Sequence, residues 1–149
     1  MKSKRNNYAE VIFDAISENE AFARIIVAGF VMPLDPTIDE INELKTIVSE
    51  AVTNSIIHAY ENKGGKIKLI IESYINEITI TVIDYGKGIE DLNRAKELFY
   101  TTKPEEERSG MGLTIMEIFA DEFYISSKIG EGTIIKIKKY LHYANELYA

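Results

Sequence analysis

Cysteine is missing from this 149-residue chain. That removes disulfides, thiolate zinc sites, iron–sulfur clusters and a cysteine nucleophile. Histidine occurs only at His58 and His142, so a multi-histidine metal centre is excluded as well. No apolar run approaches the ~18 residues that a membrane-crossing helix needs. The opening Met1-Lys2-Ser3-Lys4-Arg5 runs into polar residues, with no apolar signal core. Basic residues are outnumbered, 17 Lys and Arg against 24 Asp and Glu, which leaves a net charge of −7. Such a surface repels DNA and RNA, so direct nucleic-acid binding is not expected. These absences point to a soluble cytoplasmic protein that neither crosses nor sits in a membrane.

What is present is ordinary globular composition, 46% hydrophobic and 28% charged. The length suits one domain of ~100–150 residues, long enough to bury roughly 68–70% of its unfolded surface. No stretch reads as a linker, a repeat or a low-complexity segment. A single domain over 1–149 is expected, with 1–7 and 140–149 as peripheral tails.

Residues 8–16 read as a strand. Ser17 and Glu20 have capping-box spacing ahead of an apolar helix that ends near Met32-Pro33. Asp35-Pro36-Thr37 opens a second helix, with Thr37 and Glu40 as another capping box. Apolar residues from Ile38 to Ile56 cover about half of its circumference, and the run stops near Tyr60 at Asn62, Gly64 and Gly65. Residues 66–74 and 77–84 form a hairpin; its second arm alternates strictly and is β-branched. A short helix is expected over 91–99, a polar loop over 100–112 and a helix over 113–121. A last hairpin spans 123–129 and 133–139. The order β-α-α-β-β-α-α-β-β predicts an α+β fold: a two-layer α/β sandwich with a mixed, mostly antiparallel sheet and helices on one face.

Four features carry chemistry. Glu50 and Asn54 lie one helical turn apart, ~6 Å along the axis, at the border of the apolar stripe. A carboxylate there can take a proton from a hydroxyl, and an amide oxygen can bind a hard cation such as Mg²⁺. A solvated face shared with Glu43 is the other reading of this spacing. Asp84 ends the β-branched strand in Asp-Tyr-Gly-Lys-Gly. Its carboxylate can accept from an exocyclic amine such as that of adenine, while Gly86 and Gly88 let backbone approach a flat ligand. An Asp-capped glycine turn explains the same residues. Gly110-Met111-Gly112 opens a helix whose free N–H groups and positive dipole end suit phosphate. It matches neither GxGxxG nor GxxxxGK[ST], and a plain loop–helix junction remains open. Finally, Thr101, Thr102, Lys103, Arg108 and Ser109 concentrate hydroxyls and cations in an acidic chain, which suggests a bound anion unless Glu105, Glu106 and Glu107 simply balance them. Thr133 can add a hydroxyl from a neighbouring strand, or serve only as a β-former.

Taken in order, these features resemble the GHKL superfamily of ATP-binding domains, which includes gyrase, heat-shock protein 90, histidine kinases and mismatch-repair ATPases. Glu50 and Asn54 match its N box, Asp84, Gly86 and Gly88 its G1 box, Gly110 and Gly112 its G2 box, and Thr133 its last box. The segments SENEAFARIIVAGF, LDPTIDEINELKTIVSEAVTNSIIHAY and LFYTTKPEEERSGMGLTIME are similar to the anti-sigma serine kinases, over about residues 10–138. The resemblance implies a Bergerat-type sandwich and a homodimer that binds ATP or ADP with Mg²⁺ under a flexible lid at 99–112. It implies two activities: holding inactive a sporulation sigma factor of the sigma F type, and phosphorylating a serine on a small anti-anti-sigma protein.

Carried over by position, Glu50 is the catalytic base, Asn54 the Mg²⁺ ligand and Asp84 the adenine acceptor. Gly86, Gly88, Gly110, Met111, Gly112 and Thr133 line the nucleotide, with Thr101, Thr102, Lys103 and Ser109 beside it. Arg108 meets phosphates or the incoming partner, and Arg24 on the first helix matches an arginine used for partner contact. A surface charge beside a core face is the other reading of Arg24. Residues 140–149 run past the family's usual end; Leu141, Ala144 and Leu147 fit a short amphipathic helix. His58 reads as a structural or pocket-rim residue, since no phospho-acceptor helix accompanies it. A sigma-binding module without useful turnover, or a stress-response anti-sigma kinase, is the alternative.

Overall fold

The computed structural model describes residues 4–92 and 112–141. Five strands form one sheet: β1 (Asn7–Asp14), β2 (Lys66–Ser73), β3 (Glu77–Asp84), β4 (Glu122–Lys128) and β5 (Gly132–Tyr140). Their order across the sheet is β1-β2-β3-β5-β4, and every described pair is antiparallel. The helices are α1 (Glu18–Val31), α2 (Ile38–Asn54) and α3 (Gly112–Phe119). The two-layer α+β arrangement expected from the sequence is the one observed. The helix expected over 91–99 lies outside the described residues beyond Leu92, as does the loop expected over 100–112 up to residue 111; Gly112 already belongs to α3. The tails expected at 1–7 and 140–149 are shorter than that: Asn7 opens β1, Tyr140 ends β5 and Leu141 is fully buried in the core, and the residues after it lie outside the described ones.

Alternation in the strands builds the core. Ile67, Leu69 and Ile71 of β2, Ile78, Ile80 and Val82 of β3, and Ile135 and Ile137 of β5 all point to one face. There they meet Ala23, Val27 and Val31 of α1, Leu44, Ile47, Val48, Ala51 and Val52 of α2, and Leu113 and Met116 of α3. Helix α2 lies between α1 and α3.

One capping box forms and the other does not. The Thr37 hydroxyl accepts from Glu40 N at 3.1 Å, and the Glu40 carboxylate accepts from Thr37 N at 2.8 Å. The Ser17 side chain makes no cap bond to the helix backbone. Its intended partner, Glu20, turns away to α2, where Ser49 Oγ donates to it at 2.6 Å and Thr53 Oγ1 at 3.5 Å. A tertiary contact has taken the carboxylate that the local motif would use. Strand β1 also ends at Asp14, earlier than the expected residue 16, because Ala15 N donates instead to Gly65 O at 2.8 Å.

Helix α2 widens after Asn54 into a π turn, Ser55–Ala59. The turn closes with Tyr60 N donating to Ser55 O at 3.0 Å, and Glu61 and Asn62 adopt left-handed backbone. Such π turns often sit at functional sites because they re-aim side chains. Here the turn brings Ser55 and Ala59 to the end of β3.

Candidate functional site

The site centres on the last residue of β3. Asp84 is 3% exposed. Its Oδ1 accepts from Gly86 N at 3.0 Å and from Thr133 N at 3.2 Å. Its Oδ2 accepts from Ser55 Oγ at 3.1 Å. A carboxylate offers about four acceptor positions, so three donors leave Oδ2 able to accept one more. Burial raises the Asp84 pKa above the usual aspartate value, while the bonds from Gly86, Ser55 and Thr133 pull the other way. The carboxylate is thus fixed in place, partly dehydrated, with one acceptor position left for a ligand donor.

The turn after Asp84 is held from three sides. Tyr60 Oη accepts from Tyr85 N at 2.7 Å and donates to Lys66 O at 2.5 Å. Lys87 N donates to Ala59 O at 3.1 Å, and Gly130 N donates to Lys87 O at 2.8 Å. Gly86 is obligatory here, because a Cβ would come within 2.5 Å of Ala59 O. Gly88 has φ +82°, and its Cβ would fall 2.4 Å from Lys128 O. Thr133 is the direct neighbour of Asp84 across the β3–β5 pair. Its hydroxyl lies 2.8 Å from Ser127 Oγ, which in turn accepts from Ile89 N at 2.7 Å.

Glu50 and Asn54 occupy the last turns of α2, both half-buried, at the border of the apolar stripe as expected. Glu43 is half-buried and pairs with Lys139, a buried β5 side chain whose Nζ also donates to Phe119 O at 3.0 Å. That bond caps the C-terminal end of α3, whose first residue is Gly112. Among the described residues no group of three or more His, Cys, Asp or Glu is assembled. A hard cation at Asn54 would therefore take few protein oxygens and most of its shell from ligand oxygens and water, as Mg²⁺ does.

Arg24 lies 3.9 Å from Glu20, one turn away on α1. Together with Asn42, Lys45, Thr46, Ser49 and Glu50, it lines an open depression of about 360 Å³. Two residues singled out separately in the sequence, Arg24 and Glu50, thus share one surface. Thr101, Thr102, Lys103, Arg108, Ser109, Gly110 and Met111 lie outside the described residues. His58 is half-buried within the π turn. Sequence reasoning missed Ser55, Tyr60 and Ser127. Their partners lie 29, 25 and 38 residues away in the chain, so no local spacing marks them.

Residues 18–139 match the family model described as the histidine kinase-like ATPase domain. An anti-sigma F factor from Caldanaerobacter subterraneus subsp. tengcongensis is 54% identical over 91% of this chain and 95% of its own. One from Anoxybacillus flavithermus is 53% identical over 91% and 93%. The chain belongs to the anti-sigma F factor family of histidine kinase-like ATPase domains. Solved structures agree on the fold. The RsbU and RsbW domains of Rv1364c from Mycobacterium tuberculosis superpose with a TM-score of 0.64 at 18% identity, over 91% of this chain and 32% of that one. The catalytic domain of the histidine kinase ThkA superposes at 0.54 and 17% identity, over 89% and 97%. Among the described residues no helix is long and apolar enough to cross a membrane.

Proposed function

We propose that this protein is a single ATP-binding domain that acts as an anti-sigma factor and a serine protein kinase. It holds a sporulation sigma factor of the sigma F type inactive, and with ATP it phosphorylates a serine of an anti-anti-sigma protein. The observation that carries the nucleotide reading is the buried Asp84 carboxylate, ordered by three donors and left with one acceptor position for the adenine amine. The partner reading rests on relatives at 53–54% identity that carry the name anti-sigma F factor.

In this reading Asp84 selects the base, and Gly86, Gly88 and Thr133 shape its surroundings. Gly112 at the start of α3, with Gly110 and Met111 just before it in the sequence and Thr101, Thr102, Lys103, Arg108 and Ser109, is assigned to the phosphates. Asn54 contributes an oxygen to Mg²⁺, which when bound neutralises phosphate charge. Glu50 accepts the proton of the serine hydroxyl as the serine Oγ–Pγ bond forms and the bond from Pγ to ADP breaks. Arg24 and Arg108 meet the partner. The enzyme's contribution is position and charge more than covalent chemistry. Incubating the protein with ATP, Mg²⁺ and the anti-anti-sigma protein is expected to yield phosphoserine by mass spectrometry. Sigma-factor capture without any phosphoserine would reduce the protein to a nucleotide-gated binding module.

The homodimer has support in the outer face of the sheet, opposite the helices. Ile12, Lys68, Ile83 and Ile134 stand side by side across four strands. Ile12 is 59% exposed and Ile134 44%, with Tyr8 and Tyr124 also exposed on that face. Exposed apolar side chains gathered on one face around Lys68 support an interface there. Ile134→Lys removes two isoleucines from a symmetric dimer, each already about half covered in the protomer, for about 1.5–3 kcal/mol together, so the dimer dissociation constant is expected to rise roughly 10–150-fold. Light scattering after gel filtration checks this; an unchanged dimer would place the interface elsewhere.

A further inference from the structure

The depression between Arg24 and Glu50 contains a cation that the nucleotide reading does not use. Lys45 is half-buried at its wall and makes no hydrogen bond or ion pair with a described residue. An acidic chain of net charge −7 supplies many carboxylates, yet none of those described is spent on this ammonium. Arg24, across the depression, is partly balanced by Glu20. The floor between them is fixed, because Ser49 is tied to the buried Glu20 at 2.6 Å. Position therefore favours an anion that comes from outside.

That anion is not the nucleotide. Lys45 and Asn54 are nine residues apart on one helix, which places them about 180° apart around its axis and ~13 Å along it. Phosphates held near Asn54 lie on the far side of α2 from Lys45. Glu50 is closer, about 7.5 Å along the axis and about 140° around it, roughly 9 Å from Cα to Cα, and lines the same depression as Lys45. A group entering here meets a carboxylate at one end and, at the other, an ammonium with no partner among the described residues. A peptide segment that offers a hydroxyl to Glu50 and a carboxylate to Lys45 fits both ends.

We propose that this depression seats the acceptor segment of the protein substrate, and that Lys45 pairs with a carboxylate two or three residues from the phosphorylated serine. The spacing follows from the ~9 Å between the two Cα positions, against about 3.3 Å per residue of extended chain. The proposal rests on the kinase reading and adds the substrate feature that the site selects. Lys45 is a docking residue; it touches neither the nucleotide nor the transferred group.

The test measures phosphoserine formation on the anti-anti-sigma protein with wild type, Lys45→Glu and Lys45→Arg, alongside ATP binding by calorimetry. Lys45→Glu is expected to raise the KM for the protein substrate about tenfold, with kcat within about twofold and ATP affinity unchanged. Lys45→Arg keeps the charge and is expected to restore the KM. Reversing an acidic residue within three positions of the substrate's serine to Lys is expected to recover turnover with Lys45→Glu and to impair it with wild type. An unchanged KM in Lys45→Glu, or a loss that appears equally in ATP affinity, overturns the docking assignment and leaves the kinase reading standing. Absence of phosphoserine with wild type overturns the kinase reading and this one with it.

Discussion

Glu50→Gln is expected to bind ATP and ADP within about threefold of wild type while transferring phosphate ~10²–10⁴-fold more slowly, the usual loss on removing a positioned general base. That range corresponds to roughly 2.7–5.5 kcal/mol of barrier. The substitution is close to isosteric; it removes the negative charge and the capacity to take a proton. Helix α2 does not depend on the charge: its N-terminus is held by the reciprocal Thr37–Glu40 cap, and the preceding Ser49 is tied to α1 through Glu20. The far end is anchored where Ser55 Oγ reaches Asp84. Backbone at Glu50 is therefore fixed from both sides, so a drop in transfer reads as lost chemistry. Single-turnover phosphorylation of the anti-anti-sigma protein, paired with calorimetry for both nucleotides, separates the two effects. Full transfer by Glu50→Gln would remove Glu50 from the base role.

Local grammar was legible wherever the partners were local. The Thr37–Glu40 box, the two hairpins and the amphipathic face of α2 all follow from spacings of a few residues, and they form as read. Ser17 and Glu20 have the same spacing and fail, because Ser49 and Thr53 offer Glu20 a buried tertiary environment that a frayed helix start cannot match. Strand order was not legible. Nothing in the sequence says that β5 returns beside β3, yet that pairing sets Thr133 against Asp84 and aims its N–H at the carboxylate. Asp84 itself could be singled out because it ends a β-branched run before two glycines. Ser55 could not, because its value appears only once a π turn swings its hydroxyl onto a residue 29 positions later. The site is thus half read from local pattern and half produced by topology.

Two substitutions at Asp84 are expected to separate ligand recognition from folding. In Asp84→Asn the remaining oxygen still accepts from Gly86 N and Thr133 N, while the new amide donates to Ser55 Oγ, which can redirect its own proton to Ala51 O at 3.3 Å. The fold keeps its bonds, but a donor now faces the adenine amine. Loss of one hydrogen bond to a charged acceptor costs about 1.5–3 kcal/mol, so ATP and ADP affinity is expected to fall roughly 10–150-fold. In Asp84→Ala the two N–H groups lose their acceptor in a buried place, and stability drops as well as binding. The pH dependence has two opposite signs. Burial raises the Asp84 pKa in the folded protein above its unfolded value, so between those values the native state holds more protons than the unfolded one. The ligand-free protein therefore gains stability from this group as pH falls through the folded pKa, and loses it as pH rises. Adenine recognition needs the ionised carboxylate, so affinity is retained above the folded pKa and lost below it, at a higher pH than an ordinary aspartate gives. Calorimetric titrations across the acidic range check this with wild type and Asp84→Asn. Affinity that is insensitive both to the substitution and to acid would show that the base binds through other groups.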